Sequence, residues 1–339
     1  MTDIPISDRV TAPSEVVVPA AGLTWRPIVL DDLAAVTALQ QAMDRVDHPT
    51  FAATLEEVEE ELTHSYVDLE KDSLLGIDPD GEIAAYGLVI LPPGQETLVR
   101  SILQGGVHPE FRGEGIGREL LAWQESRALQ QLATSDKTLP AWILTNAEEK
   151  STDAAKLFAR SGFEKSRWFF ALERRISEPT PVVVPADGVT IVTYSPRFSE
   201  ATHTAKNDAF RDHWGSQPST DEQWESMLKQ EAFHEEVSYV ALSPAGDVVG
   251  LLMTFVVEDD WKLQGFSSGY IGLVGVVREW RKKGIAQSLL AHAFDGYREA
   301  GYERAQLDVD AENPSGALGL YQSVGFTEKT RSIAFTRVI

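Results

Sequence analysis

Two stretches of this sequence gather side chains that could hold a polyanion or move a proton. The first is a turn that follows an apolar run and opens a helical pattern. It reads Val107, then Arg112-Gly113-Glu114-Gly115-Ile116-Gly117-Arg118. It recurs as Val276-Val277, then Arg281-Lys282-Lys283-Gly284-Ile285-Ala286-Gln287. The first four N–H groups of a helix lack intrahelical partners, and the helix dipole places partial positive charge at that end. Small residues let the backbone approach a ligand, so this junction suits a phosphate or pyrophosphate. The second stretch holds Asp308 and Asp310, which alternate and so share one face of a strand. They either activate water or bind an amine, or else form a solvated pair at a strand end.

Other chemistries are excluded by spacing. A Walker A loop needs Gly-x-x-x-x-Gly-Lys-Ser/Thr, and the chain has no Gly-Lys pair. The dinucleotide fingerprint needs Gly-x-Gly-x-x-Gly; Gly113, Gly115 and Gly117 are wrongly spaced, and the second loop keeps only Gly284 and Ala286. Gly265-Phe266-Ser267-Ser268-Gly269 matches a nucleophile elbow in letters, but a strand follows it rather than a helix. His234-Glu235 begins like a zinc helix motif, yet position 238 is Ser. The chain has no cysteine, which removes disulfides, thiolate metal sites and a cysteine nucleophile. No metal site is indicated, and His64, His108, His203 and His292 read as surface or packing residues.

Stepping from site to scaffold, four landmarks repeat in the same order 163 to 169 residues further on. Val16–Thr24 returns as Val182–Thr190, Asp47-His48 as Asp212-His213, the glycine turn as above, and Leu157–Phe163 as Leu320–Phe326. The chain is a tandem duplication. Pro179 and Pro181 mark the junction, giving an N-terminal domain over 1–178 and a C-terminal domain over 179–339. Each half reads as mixed α/β. The second half predicts strands at Val237–Leu242, Val248–Val257, Tyr270–Val277 and Arg304–Val309, with a helix over Gln287–Glu299. Asn313-Pro314 is expected to open a short helix that stops at Gly325. The first half predicts strands at Leu74–Gly76, Ile83–Leu91, Thr97–Val107 and Ala141–Thr145, with helices over Arg118–Leu132 and Ala154–Arg160.

The 339 residues carry 30 Lys+Arg against 52 Asp+Glu, a formal charge of −22. Nucleic-acid binding relies on Lys and Arg neutralising phosphates, so that partner is disfavoured, while cationic amines are favoured. With 43% hydrophobic and 24% charged residues the composition is that of a globular protein. No apolar run approaches the ~20 residues of a membrane span, and the first residues lack an apolar signal core. A soluble, cytoplasmic protein is expected; the sequence does not set its oligomeric state.

Arg112–Gly117 and Arg281–Ala286 fit Arg/Gln-x-x-Gly-x-Gly/Ala, and here the chain resembles the GNAT (GCN5-related N-acetyltransferase) superfamily. Asn313-x-x-x-Ala317-x-x-Leu320-Tyr321-x-x-x-Gly325-Phe326 is similar to that family's second segment. The resemblance covers both halves, and the two-domain size also resembles mycothiol synthase and its tandem relatives. It implies two tandem domains, each with a mostly antiparallel central sheet flanked by helices. It implies acetyl-CoA as acyl donor, its pyrophosphate held by the glycine turns, with Asn313 and Tyr321 near it and a backbone N–H around Val276–Val277 facing the thioester. A small-molecule amine would attack directly, with Tyr321 as the acid for the leaving thiolate. A phenol's ordinary pKa of about 10 suits that role. The alternatives are a noncatalytic acyl-CoA-binding sensor and a mycothiol-synthase-like enzyme that acetylates a cysteinyl amino-sugar. The region of Asp212, His213 and Trp214 would roof the acceptor pocket, though a capping or packing role fits those residues equally. The first half has Phe158 and Lys150 where the second has Tyr321 and Asn313, so catalysis is expected in the second half. No Asp, Glu or His lies in Gly269–Val277, where the tandem relatives would place a glutamate. Tyr270 is the nearest side chain, and the base stays open.

Overall fold

Runs of β-branched and apolar residues in each half become strands, and the amphipathic segments between them pack as helices on both faces of the sheets. The computed structural model describes residues 3–20, 22–48, 51–183, 188–313 and 316–339. In chain order the strands are β1 (Thr24–Arg26), β2 (Ser73–Ile77), β3 (Ile83–Ile90), β4 (Val99–Val107), β5 (Ala141–Glu148) and β6 (Glu164–Arg175). They continue as β7 (Thr190–Thr193), β8 (Tyr239–Leu242), β9 (Val248–Phe255), β10 (Ser268–Val276), β11 (Arg304–Asp310) and β12 (Thr327–Val338). Both sheets are mixed and mostly antiparallel, so the fold is α/β with tandem units.

The chain divides into one unit of Met1–Ser166 with Ile333–Ile339 and a second of Arg167–Ser332. In the first, β1 to β4 pair antiparallel in order, β5 runs parallel to β4, and the end of β12 lies beside β5. In the second, β7 to β10 pair antiparallel, β11 runs parallel to β10, and β6 closes the order antiparallel to β11. The division differs from a cut at 178/179: the strand before the proline linker belongs with the second unit, and the last seven residues belong with the first. A strand is assigned by its long-range ladder, and no local residue pattern announces that partner.

Each unit buries helices against its sheet. In the second, helix Ile285–Glu299 sets Leu289, Leu290, Ala293, Phe294 and Tyr297 against β9 to β11. On the opposite face helix Ser199–Ala209 sets Ala205 beside Leu251 and Met253. Helix Asp221–Lys229 starts at Thr220, whose hydroxyl and Gln223 form a capping box. The expected helix at Asn313-Pro314 begins later, at Ala317, behind Gly316 in the left-handed region. Pro314 and the repeat residues Val184–Asp187 lie outside the described residues. That helix ends in a Schellman closure: Phe326 N–H bonds Tyr321 O (3.0 Å) and Gly325 N–H bonds Gln322 O (3.1 Å). Phe163 and Gly162 repeat both bonds onto Phe158 and Ala159. The Gly-Phe of the repeated landmark is therefore a helix stop.

The first unit half-buries a carboxyl that has no cation bonded to it among the described residues. Glu61 sits on helix Leu55–Thr63, its Oε1 accepting from Gln104 Nε2 (2.9 Å) on β4. Burial, with Glu57 and Glu60 adding repulsion, pushes its pKa from 4.5 up to about 7. A raised pKa means the folded state holds the proton more tightly, so the stability this group contributes is full below pH 4.5 and lost as pH rises through 7. Glu61→Gln, which mimics the protonated form, should raise stability at pH 8 by about 3 kcal/mol and change little at pH 4. Chemical denaturation at the two pH values checks this; an equal shift at both would remove the titration as its cause.

Candidate active site

The site is made by two strands that part. β10 pairs with β11 only over Ser268–Tyr270, the last partners being Tyr270 and Gln306. Both strands then run on, to Val276 and Asp310. β10 also carries a bulge against β9 between Ile271 and Leu273, which changes which side chains face which way. Before it, Gly269 faces Tyr297 of helix Ile285–Glu299; after it, Gly275 faces Ala209 and Phe210 on the other side. Val277 N–H bonds Val249 O (3.0 Å), so the ladder to β9 uses that amide. Alternation along an antiparallel strand turns the amides of Val274 and Val276 to the parted edge. Of the two positions expected to face a thioester, Val276 has the free orientation and Val277 does not.

Tyr270 stands where the strands begin to part. Its hydroxyl donates to Asp308 Oδ2 (3.0 Å) on β11, so the strand that lacks an acid shares one from its neighbour. Tyr270 is 39% exposed as a whole, but its hydroxyl end is enclosed; that enclosure and the Asp308 charge raise its pKa, with Tyr321 a further contributor. Tyr321 is 8% exposed on its short helix, with Phe326 edge-on at 5.9 Å. Burial pushes its phenol up, so it keeps its proton through the neutral range. Asp308 and Asp310 have separate partners. Asp310 is buried, bridged to Arg167 Nε (3.1 Å), and accepts from Glu312 N–H (2.9 Å). Its role is to fix the end of β11.

At the end of β10 the glycine turn has the backbone a phosphate ligand needs. Gly284 caps helix Ile285–Glu299 with φ 76°, and Gly115 caps helix Ile116–Leu132 with φ 92°. Gly113 is left-handed as well, and Lys282 takes the matching place with φ 61°. A side chain pays steric strain there, so Lys282 holds a conformation that glycine adopts freely. Ile285 and Ile116 are buried, anchoring each helix start, while Lys283 lies over the Trp280 ring at 4.4 Å. Gly117 packs by Val107, and Arg118 folds back over Gly115. Nothing surrounds the Cα of Gly113, which leaves the turn open to a ligand.

The loop arginines do something else. Arg281 Nε donates to Val276 O (3.2 Å), its guanidinium to Asp212 Oδ2 (3.0 Å) and to Ala209 O (2.8 Å). Asp212 also holds Arg278, and this pair of cations keeps its carboxyl below the usual range. In the first unit Arg112 Nε donates to Val107 O (3.1 Å) and forks onto Asp47 (3.0 and 2.6 Å). The repeated Asp-His and the repeated Arg are thus halves of one brace from the strand end to the preceding helix. Both Asp212 carboxylate oxygens take part in the second unit's brace.

His213 and Trp214 follow that brace. The Asn313 amide nitrogen lies 3.5 Å from His213 Nε2, and the imidazole ring is 4.6 Å from Phe210. Burial and the Arg281 charge lower the His213 pKa. Trp214 packs on Phe169 (6.3 Å) and under Arg167 (5.8 Å). In the first unit Glu148, two residues before Lys150, is the group that faces the equivalent His48, at 3.5 Å. Arg167, Phe169 and Phe210 carry no local signal and were missed in the sequence; the repeated Asp-His was the one trace of the brace.

The "Acetyltransferase (GNAT) family" model matches residues 200–326, and the "Acetyltransferase (GNAT) domain" model matches residues 70–165. A mycothiol acetyltransferase of Thermobispora bispora is 30% identical over 247 residues, covering 73% of this chain and 76% of that one. One from Thermomonospora curvata is 31% identical, covering 75% and 78%. The solved GCN5-related N-acetyltransferase from Sphaerobacter thermophilus has a TM-score of 0.71 at 28% identity, covering 95% of this chain and 97% of that one. A tandem GNAT protein from the clavulanic acid biosynthesis pathway shares the fold with a TM-score of 0.68 at 15% identity, covering 93% and 98%. Sequence and fold therefore define an acetyltransferase. The chain belongs to the GNAT family, as a tandem member resembling mycothiol synthase, and is an N-acetyltransferase. Among the described residues no helix is long and apolar enough to cross a membrane.

Proposed function

We propose that the second unit transfers the acetyl group of acetyl-CoA to the amine of a small molecule. The observation that carries this is the parted β10/β11 edge, with Tyr321 and the Tyr270–Asp308 pair beside it and a left-handed glycine turn at its end. The residues fit the donor: the amides that open helix Ile285–Glu299, with Lys282 and Lys283, would hold its pyrophosphate. Bound there, acetyl-CoA supplies an activated thioester and a leaving thiolate. The chain's own groups do the rest. Val276 N–H orients the acyl oxygen, Asp308 draws in the amine cation, and Tyr321 O–H gives a proton to the departing sulfur. Asn313 stands beside the same edge. Holding both substrates in one place supplies much of the rate.

The first unit keeps its glycine turn, Arg112–Arg118 behind Val107, but has Phe158 in place of the acid. It is read as a noncatalytic copy that still binds CoA. The named relatives favour a cysteinyl amino-sugar as the first acceptor to assay, since Asp308 supplies the carboxylate that β10 lacks. Calorimetric titration of acetyl-CoA into the full chain tests the whole reading. Two sites per chain are expected, and Gly284→Val should abolish one of them. Absence of any heat or competition by CoA would remove the donor assignment.

A further inference from the structure

The repeat places one histidine in two opposite settings. His213 and His48 each follow the aspartate that braces a loop arginine. His48 lies 3.5 Å from Glu148, with Asp44 and Asp47 adding negative charge, and these carboxylates raise its pKa. Its surroundings favour the imidazolium form, paired with Glu148. His213 has the Asn313 amide at 3.5 Å where His48 has a carboxylate. The groups that face it are Arg281 from the loop, Asp310 from β11 and its neighbour Asp212. Both acids are already committed, Asp310 to Arg167 and Asp212 to Arg278 and Arg281. Burial and Arg281 prevail over them, and the ring stays neutral.

The position of His213 is also fixed. Its ring packs on Phe210, whose Cε2 would be 2.9 Å from a Cβ on Gly275, just past the bulge on β10. The imidazole is therefore carried over the parted edge, on the side that helix Ser199–Ala209 covers. Asn313 Nδ2, 3.5 Å from Nε2, holds the ring from the β11 side. The nearby carboxylates are already engaged: Asp308 accepts from Tyr270, and Asp310 and Asp212 are ion-paired.

We propose that His213 is the proton acceptor of the second unit, removing a proton from the acceptor's ammonium group at its unprotonated ring nitrogen. The N–H bond breaks, its electron pair stays on the amine nitrogen as the attacking lone pair, and the imidazolium releases the proton to solvent. In the first unit the matching His48 faces Glu148, which holds its proton more tightly and makes it the poorer proton acceptor. This rests on acetyl transfer in the second unit.

The test compares the full-length chain with His213→Gln, using acetyl-CoA and a panel of primary amines. Wild-type kcat/KM should show an acid limb with an inflection below pH 6.5. His213→Gln should lose on the order of 10²-fold in kcat, lose that limb, and keep its affinity for CoA by calorimetry. Partial rescue by added imidazole would support proton transfer over packing. If wild type turns over while His213→Gln keeps both kcat and the acid limb, His213 is not the base. If wild type binds CoA but acetylates no amine, the transfer reading falls and this one with it. Imidazole NMR of the wild-type chain gives a second reading that needs no variant to fold. His213 should titrate below 6.5 and His48 above it. A His213 that is charged at pH 7 would overturn the proposal.

Discussion

Tyr321→Phe is expected to lower kcat by roughly 10²- to 10⁴-fold while leaving CoA affinity within about twofold, the range for loss of a positioned general acid. The chain already contains the control for folding. Phe158 stands at the matching place of the repeat, on helix Thr152–Arg160, and packs against Phe163 and Phe335 at 6.1 and 5.1 Å. The same Schellman closure seals both helices, so the ring and not the hydroxyl is what the fold requires. Removing the oxygen should therefore cost less than about 1 kcal/mol of stability. Burial raises the phenol's pKa, so wild type should hold the acid form across neutral pH and fail only on a far basic limb. Single-turnover rates with acetyl-CoA in excess measure the chemical step directly. A rate within threefold of wild type would leave Tyr321 as packing alone.

How much of this was legible in the sequence differs between turn and strand. The glycine turns and the Gly-Phe helix stop are local: each depends on a left-handed residue at a fixed place, and glycine announces such places. The strands that flank the turns follow from composition, and β3, β4, β9 and β10 all appear near their expected bounds. What a single residue would do was harder. Arg281 and Asp212 were separate candidates for phosphate and acceptor, yet 69 positions apart they bond each other at 3.0 Å. Asp308 and Asp310 share a strand face, but Arg167 from β6 neutralises one while Tyr270 leans on the other. Pairings of that kind are made by topology, and the recurrence of Asp-His with Arg was their one visible sign. The bulge in β10 left no sign at all, although it sets which side chains reach the site.

The same distinction predicts where the chain can be cut. Pro179 and Pro181 are the obvious punctuation and imply a domain of 179–339; ended at 332 to match the second unit, it gives the fragment 179–332. That fragment lacks β6, whose residues Phe169–Arg175 pair with all of β11 from Arg304 to Asp310. It also lacks Leu172 and Ile176, each 2% exposed in the core beside helix Ile285–Glu299. Arg174 would be missing too. Its guanidinium donates to Val324 O (2.7 Å) at the end of the Tyr321 helix and to Pro179 O (2.8 Å), and stacks over Phe294 at 4.2 Å. Losing two buried aliphatic side chains costs about 2–5 kcal/mol each, and the ladder and the arginine add to that. The total reaches the 5–15 kcal/mol that holds a typical domain together. Fragment 167–332 should therefore melt cooperatively, while 179–332 should show no transition and collect in the insoluble fraction. Thermal denaturation of the two side by side decides it. If 179–332 melted within a few degrees of 167–332, the proline boundary would be the true one and β6 an accessory strand.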